Sequence, residues 1–231
     1  METDKALIAK QEFLDSIKPQ PYLTYKDYNI DGRWGSFLEI AKAMYPDFNL
    51  TPEEEKIYRN GVMYFAGDPQ CEWSLNKGLY ICGKIGVGKT TFFKILNTLN
   101  KAVGSGSDNS FRKYTSTELA DGFEKKGFEY FENLGYINSF GYSVNGVAPT
   151  HLLLDDLGQS SNIVNHFGTT TNIVSEFIQR RYNVFIDRYK LTHISTNIEP
   201  SEIKEAYGEF IASRMREMFN IIIYPGIDRR K

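Results

Sequence analysis

The apolar positions change their period along the chain. Over residues 4–17, Leu7, Leu14 and Ile17 fall on one side of a helix with charges between them, and Lys18-Pro19-Gln20-Pro21 ends the run. A tyrosine-rich stretch follows (Tyr22, Tyr25, Tyr28), and helical spacing returns from Trp34 to Tyr45. Thr51-Pro52-Glu53-Glu54-Glu55 has the chemistry of a helix start. Thr51 serves as N-cap, Pro52 as first residue, and three carboxylates lie at the positive end of the dipole. That helix is predicted to run to about residue 65 and to break at Gly67-Asp68-Pro69. Beyond it, short β-prone runs alternate with amphipathic ones. The pattern predicts strands over 79–82, 111–114, 151–154, 191–195 and 220–224. It predicts helices over 89–101, 117–126, 169–187, 201–207 and 210–218. Such alternation implies a parallel sheet with helices on both faces, an α/β architecture. Residues 104–110 read as a flexible connection, and 127–149 as an irregular excursion or hairpin. A boundary near residue 70 divides a helical N-terminal region, 1–70, from a nucleotide-binding domain, 71–231.

Composition narrows the class without naming it. The 231 residues suffice for one α/β domain with additions, or for one domain with a small N-terminal module. Hydrophobic residues make up 41% and charged residues 24%, which supports a sizeable core and argues against disorder. A net charge of −2 gives no global sign of nucleic-acid binding, so any such contact must come from a local patch. Cys71 and Cys82 have no metal-spaced partners and read as reduced thiols of a cytoplasmic protein. His151, His166 and His193 are scattered, so no metal site is expected from them. No apolar run approaches the roughly 20 residues that span a bilayer. The early charges Glu2, Asp4 and Lys5 leave no signal peptide, so no membrane partner is expected.

The sharpest chemistry lies in Gly83-Lys84-Ile85-Gly86-Val87-Gly88-Lys89-Thr90, which fits G-x-x-x-x-G-K-[ST]. The apolar run Leu79-Tyr80-Ile81-Cys82 precedes it, and a helical stretch from Thr91 to Asn100 follows. Strand, loop and helix in that order form the context a P-loop requires. Gly83, Gly86 and Gly88 permit backbone conformations that turn several N–H groups, those of Val87 to Thr91 among them, into one concavity. That concavity and the helix N-terminus attract phosphate oxygens. Lys89 can reach the β- and γ-phosphates, and the Thr90 hydroxyl can ligate Mg²⁺. Without its context the same string would leave an ordinary glycine turn in a strand–helix connection as an open alternative.

Further candidates sit at predicted strand ends, where ligands of parallel sheets bind. His151-Leu152-Leu153-Leu154 runs into Asp155 and Asp156. Asp155 is the candidate Mg²⁺ partner. Asp156 is the candidate that orients or deprotonates an attacking water. Asn197 ends Ser195-Thr196-Asn197 at a strand's carboxyl end, where it could bond the γ-phosphate or the water; taken alone it reads more readily as a turn or helix cap before Glu199-Pro200. Arg214 lies away from the apolar side formed by Phe210, Ile211, Met215 and Met218. It is either a solvated cation or an arginine that reaches a neighbour's nucleotide.

Taken in order, the P-loop, Leu-Leu-Leu-Asp-Asp-Leu-Gly, Arg-Arg-Tyr, Ser-Thr-Asn and Lys-Glu-Ala-Tyr-Gly-Glu-Phe-Ile-Ala-Ser-Arg-Met resemble the AAA+ ATPases of the DnaC/IstB type, over about residues 78–225. That family contains replicative helicase loaders and transposition helper ATPases. The resemblance implies a P-loop NTPase fold of the AAA+, RecA-like kind, with ATP and Mg²⁺ as cofactors. It further implies that Asn197 is the sensor-1 residue, Arg214 an arginine finger acting in trans, and Arg181 the arginine the family carries before its sensor strand. It implies assembly into a homo-oligomer when ATP is bound, single-stranded DNA as a ligand, and a replicative helicase or transposase as a partner. Residues 1–70 would contact that partner. Two departures stand out. Asp156 occupies a position where AAA+ enzymes usually carry Glu, which implies slow hydrolysis. Lys231 follows the last strand too closely for a helical C-terminal lid, which loaders of this type often lack.

Single-stranded nucleic acid favours basic grooves with aromatic platforms. The candidates are 122–142, with Phe123, Lys125, Lys126, Phe128, Tyr130, Phe131, Tyr136 and Tyr142, and 179–190, with Arg180, Arg181, Arg188 and Lys190. Three functions remain open: a replication or mobile-element ATPase, a P-loop small-molecule kinase with Arg180-Arg181 as lid charges, and a nucleotide-gated binding module with negligible turnover.

Overall fold

The structure is a computed structural model that describes residues 22–23, 29–103, 109–134, 150–158, 163–166 and 169–229. The helix expected over 4–17, Tyr25 and Tyr28, most of the connection at 104–110, and Tyr136 and Tyr142 lie outside the described residues.

Two helices come first. Helix α1 spans Ile30–Met44 and is capped by Asn29, whose side chain accepts from Gly32 N. Helix α2 spans Pro52–Ala66 and starts as its sequence dictates. Thr51 Oγ1 accepts from Glu54 N, Glu54 returns a bond to Thr51 N, and Pro52 stands at the first position. Gly67 ends it in the left-handed conformation at φ 71°.

Five strands then build one parallel sheet: β1 (Gly78–Cys82), β2 (Phe111–Thr115), β3 (His151–Leu157), β6 (Thr192–Thr196) and β7 (Phe219–Ile223), in the order β2-β3-β6-β1-β7. Helices α3 (Lys89–Val103), α4 (Ser116–Lys126), α6 (Ile173–Arg188) and α7 (Ile203–Met218) connect them, and a short α5 (Glu129–Asn133) follows α4. The crossover from β1 to β2 runs across the sheet in the direction opposite to the other three. Right-handed crossovers therefore put α3 on one face and α4, α6 and α7 on the other. Helices α1 and α2 stack on α3, on the outside of its face.

The core explains this stacking. Phe92 and Phe93 are both fully buried near the start of α3. Phe92 packs on Tyr58 of α2 at 5.0 Å, while Phe93 packs on Phe111 and His193 of the sheet at 5.7 and 5.8 Å. Burying such a side chain contributes about 2–3 kcal/mol. Gly61 lets α2 approach closely, since a Cβ there would sit 2.8 Å from both Leu96 and Phe92. Phe37, Tyr58, Val62 and Phe65 thus share one continuous core with α3 and the sheet.

The structure departs from the sequence reading in two places. Residues 169–172 form a strand, β5 (Thr169–Asn172), paired antiparallel with β4 (Ile163–His166), and α6 begins only at Ile173. Three threonines favour the extended backbone. Asn172 then caps the helix by accepting from Ser175 N at 3.1 Å. The separation expected between helices over 201–207 and 210–218 is present as a kink within α7 at Gly208, which is non-helical at φ 82° and ψ 162°. Within the stretch expected to be irregular, α5 forms a single turn of helix.

Candidate functional site

Strand β1 delivers the glycine-rich loop to the sheet's carboxyl edge. Gly83 N donates to Thr196 O at 3.3 Å, and Tyr224 N donates to Cys82 O at 2.7 Å. The strand is therefore held on both sides up to the point where the loop departs. Gly86 and Gly88 adopt φ of 80° and 106°, conformations that other residues enter at a cost. The loop closes into α3 with Phe92 N donating to Gly88 O at 2.9 Å. Lys89 is buried, and its Nζ donates to Gly83 O and Lys84 O, at 2.8 Å each. The ammonium is thus folded back onto carbonyls of its own loop.

The acids stand at the tip of β3, where the chain is irregular. The register between β3 and β6 shifts after Leu154, so that Leu157 pairs with Thr196. Asp156 occupies the extra position with φ of 59°. Its peptide is pinned from two sides. Asp156 N donates to Ser195 Oγ at 3.0 Å, and Ser116 Oγ donates to Asp156 O at 2.9 Å. This bulge sends the two neighbouring carboxylates to different places. Asp156 lines an open cavity, while Asp155 is buried behind it.

Three elements hold the Asp155 carboxylate. Thr90 Oγ1 of α3 donates to Oδ1 at 3.0 Å, Ser195 Oγ of β6 donates to the same oxygen, and Lys113 Nζ of β2 lies 3.0 Å from Oδ2. The residues fit a Mg²⁺ ion. A hydroxyl and a carboxylate, both hard oxygen donors, sit side by side at the foot of the loop. Among the described residues no group of three His, Cys, Asp or Glu could hold a metal by itself. An ion there would take the rest of its shell from phosphate and water, as Mg²⁺ does in phosphoryl-transfer sites.

The cavity beside the loop measures about 420 Å³. Gly86, Val87, Gly88, Lys89, Thr90 and Thr91 line one wall. Asp156 and Asn197 reach it from the tips of adjacent strands, so the structure brings residues 156 and 197 to one cavity with the glycine-rich loop. Strand β6 lies between β1 and β3, which carries Asn197 into the gap between loop and acids. A Cβ at Gly83 would sit 2.7 Å from Tyr224 O, so a glycine lets the start of the loop pass close to the backbone after β7.

The other end of the cavity was not read from the sequence. Tyr45, Asp47 and Phe48, between α1 and α2, line it together with Tyr58 and Tyr224. Phe48 and Tyr58 meet edge to face at 5.7 Å. Arg229 completes this end. Its backbone N donates to Gly86 O at 3.2 Å, and its guanidinium bonds both oxygens of the buried Glu54 carboxylate at 2.6 and 2.5 Å. The segment after β7 thus folds back over the P-loop and ties it to α2. No local motif marks these residues, because the fold gathers them from two stretches far apart in the chain.

The remaining arginines differ in kind. Arg214 does not line the cavity. Its guanidinium lies between the rings of Phe210 and Tyr182, at 4.0 and 4.6 Å, and its Nη1 has no hydrogen-bond partner among the described residues. Phe210 is 60% exposed and does not belong to the buried side of α7, contrary to the sequence reading. Arg181 is fully buried and donates to Thr192 Oγ1, Thr150 O and Leu191 O at 2.8, 3.1 and 3.0 Å. It bolts α6 to the strand ends opposite the site. Arg180 pairs with Glu176 at 2.6 Å and lies over Phe128 and Phe131. Of the aromatics grouped as a stacking platform, Phe123 and Phe131 are core residues. Burial leaves neither a free face for a base.

Neither Cys71 nor Cys82 forms a disulfide. Among the described residues no helix is long and apolar enough to cross a membrane.

The strand order and the loop together define a P-loop fold of the AAA+ kind. Solved structures that share it include two with a TM-score above 0.5. One is a candidate primosome component from Streptococcus pyogenes serotype M3, at 17% identity and a TM-score of 0.53, covering 80% of this chain and 87% of that one. The other is DnaI, at 22% identity and a TM-score of 0.53, covering 83% and 93%. No family model matches the sequence, and no curated protein matches it.

Proposed function

We propose that this protein binds and hydrolyses ATP as an accessory of DNA replication or of a mobile element, in the manner of a helicase loader. The observation that carries the reading is the single cavity in which the P-loop, Asp156 and Asn197 meet, with the Thr90–Asp155 pair behind it. The replication role draws on the DnaC/IstB resemblance and on the fold shared with DnaI and the candidate primosome component.

In this reading the triphosphate lies along the loop, and Lys89 exchanges the carbonyls of Gly83 and Lys84 for phosphate oxygens. The aromatic end, with Tyr45 and Phe48, takes the base. Thr90 and Asp155 hold Mg²⁺, which neutralises charge developing on the β- and γ-phosphates. Asp156 and Asn197 orient the attacking water. Arg214 of one subunit reaches the γ-phosphate of the next, so assembly completes the site. Residues 1–70 contact a replicative helicase or transposase, and the assembled protein binds single-stranded DNA.

The test is ATP turnover per subunit across protein concentration, with and without single-stranded DNA. Turnover that rises with both is expected; turnover indifferent to both would point to a self-contained P-loop enzyme. The kinase alternative loses its lid charges, since Arg181 is core and Arg180 is paired with Glu176. The nucleotide-gated module keeps one observation in its favour. The short Asp156 side chain springs from a bulge with φ of 59°, which restricts its reach. Tight ATP binding without turnover would select that reading.

A further inference from the structure

Lys113 is an unexpected member of the site. It stands on β2, at the edge of the sheet, one strand from the acid it touches. Lys113 pairs with Leu153 in register and therefore projects on the same face as Asp155, two residues on. That is the face covered by α3, whose first turn supplies Thr90. The ammonium lies 3.0 Å from Asp155 Oδ2, the oxygen that neither Thr90 nor Ser195 engages.

Burial makes the contact consequential. The Asp155 side chain is 1% exposed and that of Lys113 is 39% exposed. A buried carboxylate with no cation beside it is unfavourable. Thr90 and Ser195 are neutral hydroxyls, so Lys113 is the only cation bonded to this carboxylate among the described residues. A divalent ion at Asp155 needs the same negative charge. Two cations cannot both sit within about 3 Å of one buried carboxylate without strong repulsion. The four-carbon stem of Lys113 and its partial exposure give it a place to go when displaced.

We propose that Lys113 is a tethered counter-cation that occupies Asp155 and competes with Mg²⁺ for it, so that the metal site opens only when the charge of a nucleotide triphosphate joins the balance. The inference rests on the ATP-binding reading and assigns Lys113 a positioning role within it. Neutral glutamine at 113 removes the competitor, and arginine retains the charge.

The experiment uses the full chain and compares wild type, Lys113→Gln and Lys113→Arg. In the first arm, affinity for a fluorescent N-methylanthraniloyl ATP is followed across Mg²⁺ concentration. The half-saturating Mg²⁺ concentration is expected to fall about three- to tenfold in K113Q, the effect of one partly screened charge, and to stay near wild type in K113R. Binding in EDTA should match among the three. An unchanged or raised Mg²⁺ midpoint in K113Q overturns the proposal. In the second arm, Mn²⁺ binding to nucleotide-free protein is followed by electron paramagnetic resonance. K113Q should bind Mn²⁺ more tightly than wild type, and equal binding overturns the proposal. This arm needs no nucleotide. A wild type that binds no ATP analogue therefore sinks the ATP reading while Mn²⁺ still decides the role of Lys113.

Discussion

At the scale of single residues, the same side-chain chemistry takes opposite roles according to burial. Asp155 and Asp156 are adjacent in sequence, yet the bulge sends one behind Thr90 and the other into the cavity. His193 shows burial acting on protonation. It is enclosed in the sheet, and its Nδ1 accepts from Leu79 N at 3.2 Å. Burial first, then His151 and Arg181, hold its pKa well below the ordinary 6.5. The unfolded chain therefore takes up a proton that the folded chain refuses as pH falls through 6.5. Stability from this group is complete above that value and is lost below it, by about 1.4 kcal/mol at one pH unit under the unfolded value. Urea midpoints measured between pH 7.5 and 5.5 should show the loss. His193→Asn should flatten that slope even though it lowers the midpoint; an equally steep slope in the variant would assign the acid sensitivity elsewhere. Nothing around His193 in the sequence marks it as buried within electrostatic reach of an arginine twelve positions earlier on another element.

At the scale of elements, local rules were read well where the chain signals its own boundaries. Thr51, Pro52 and Glu54 announced α2, and the capping box is present. Gly67 ended it as expected. The rules failed at 169–172, where a helical extrapolation ran through three threonines that pair with 163–166 instead. The choice there depends on a partner strand, which periodicity along one segment does not contain. Glu54 illustrates how an element acquires a second role. Its carboxylate caps α2 and also receives Arg229 from the segment after β7. Arg229→Ala would leave that buried carboxylate, 1% exposed, with the helix cap alone. The Arg229 side chain is 39% exposed, so the expected loss is discounted to about 1–2 kcal/mol. Equilibrium urea unfolding measures it. The same segment is tied to the loop by Arg229 N on Gly86 O, a bond alanine can still make. If the cavity holds a nucleotide, release of the segment from Glu54 should loosen that tie and raise the nucleotide dissociation rate as well. No change in either quantity would mean that the pair holds nothing together.

At the scale of the whole molecule, Arg214 is a guanidinium held between two rings and away from its own cavity. If it serves a neighbour, Arg214→Ala should lower turnover about 10³-fold or more when every subunit carries it, with ATP affinity little changed. A mixture with a Lys89→Ala variant should regain activity, because each variant supplies what the other lacks. Mixtures no more active than the separate variants would exclude completion between subunits. The sequence by itself determined the strand–helix alternation, the P-loop, and the acids at a strand tip, because each is written in contiguous residues whose periodicity, glycines and charges act locally. Only the tertiary structure decided that β6 lies between the P-loop strand and the acid strand, and that Tyr45 and Phe48 meet Tyr224 across one cavity. It also decided that Arg181 belongs to the core and that Lys113 pairs with Asp155. These relations join residues tens to more than a hundred positions apart. They arise from crossover handedness and packing between elements, which no window along the chain encodes.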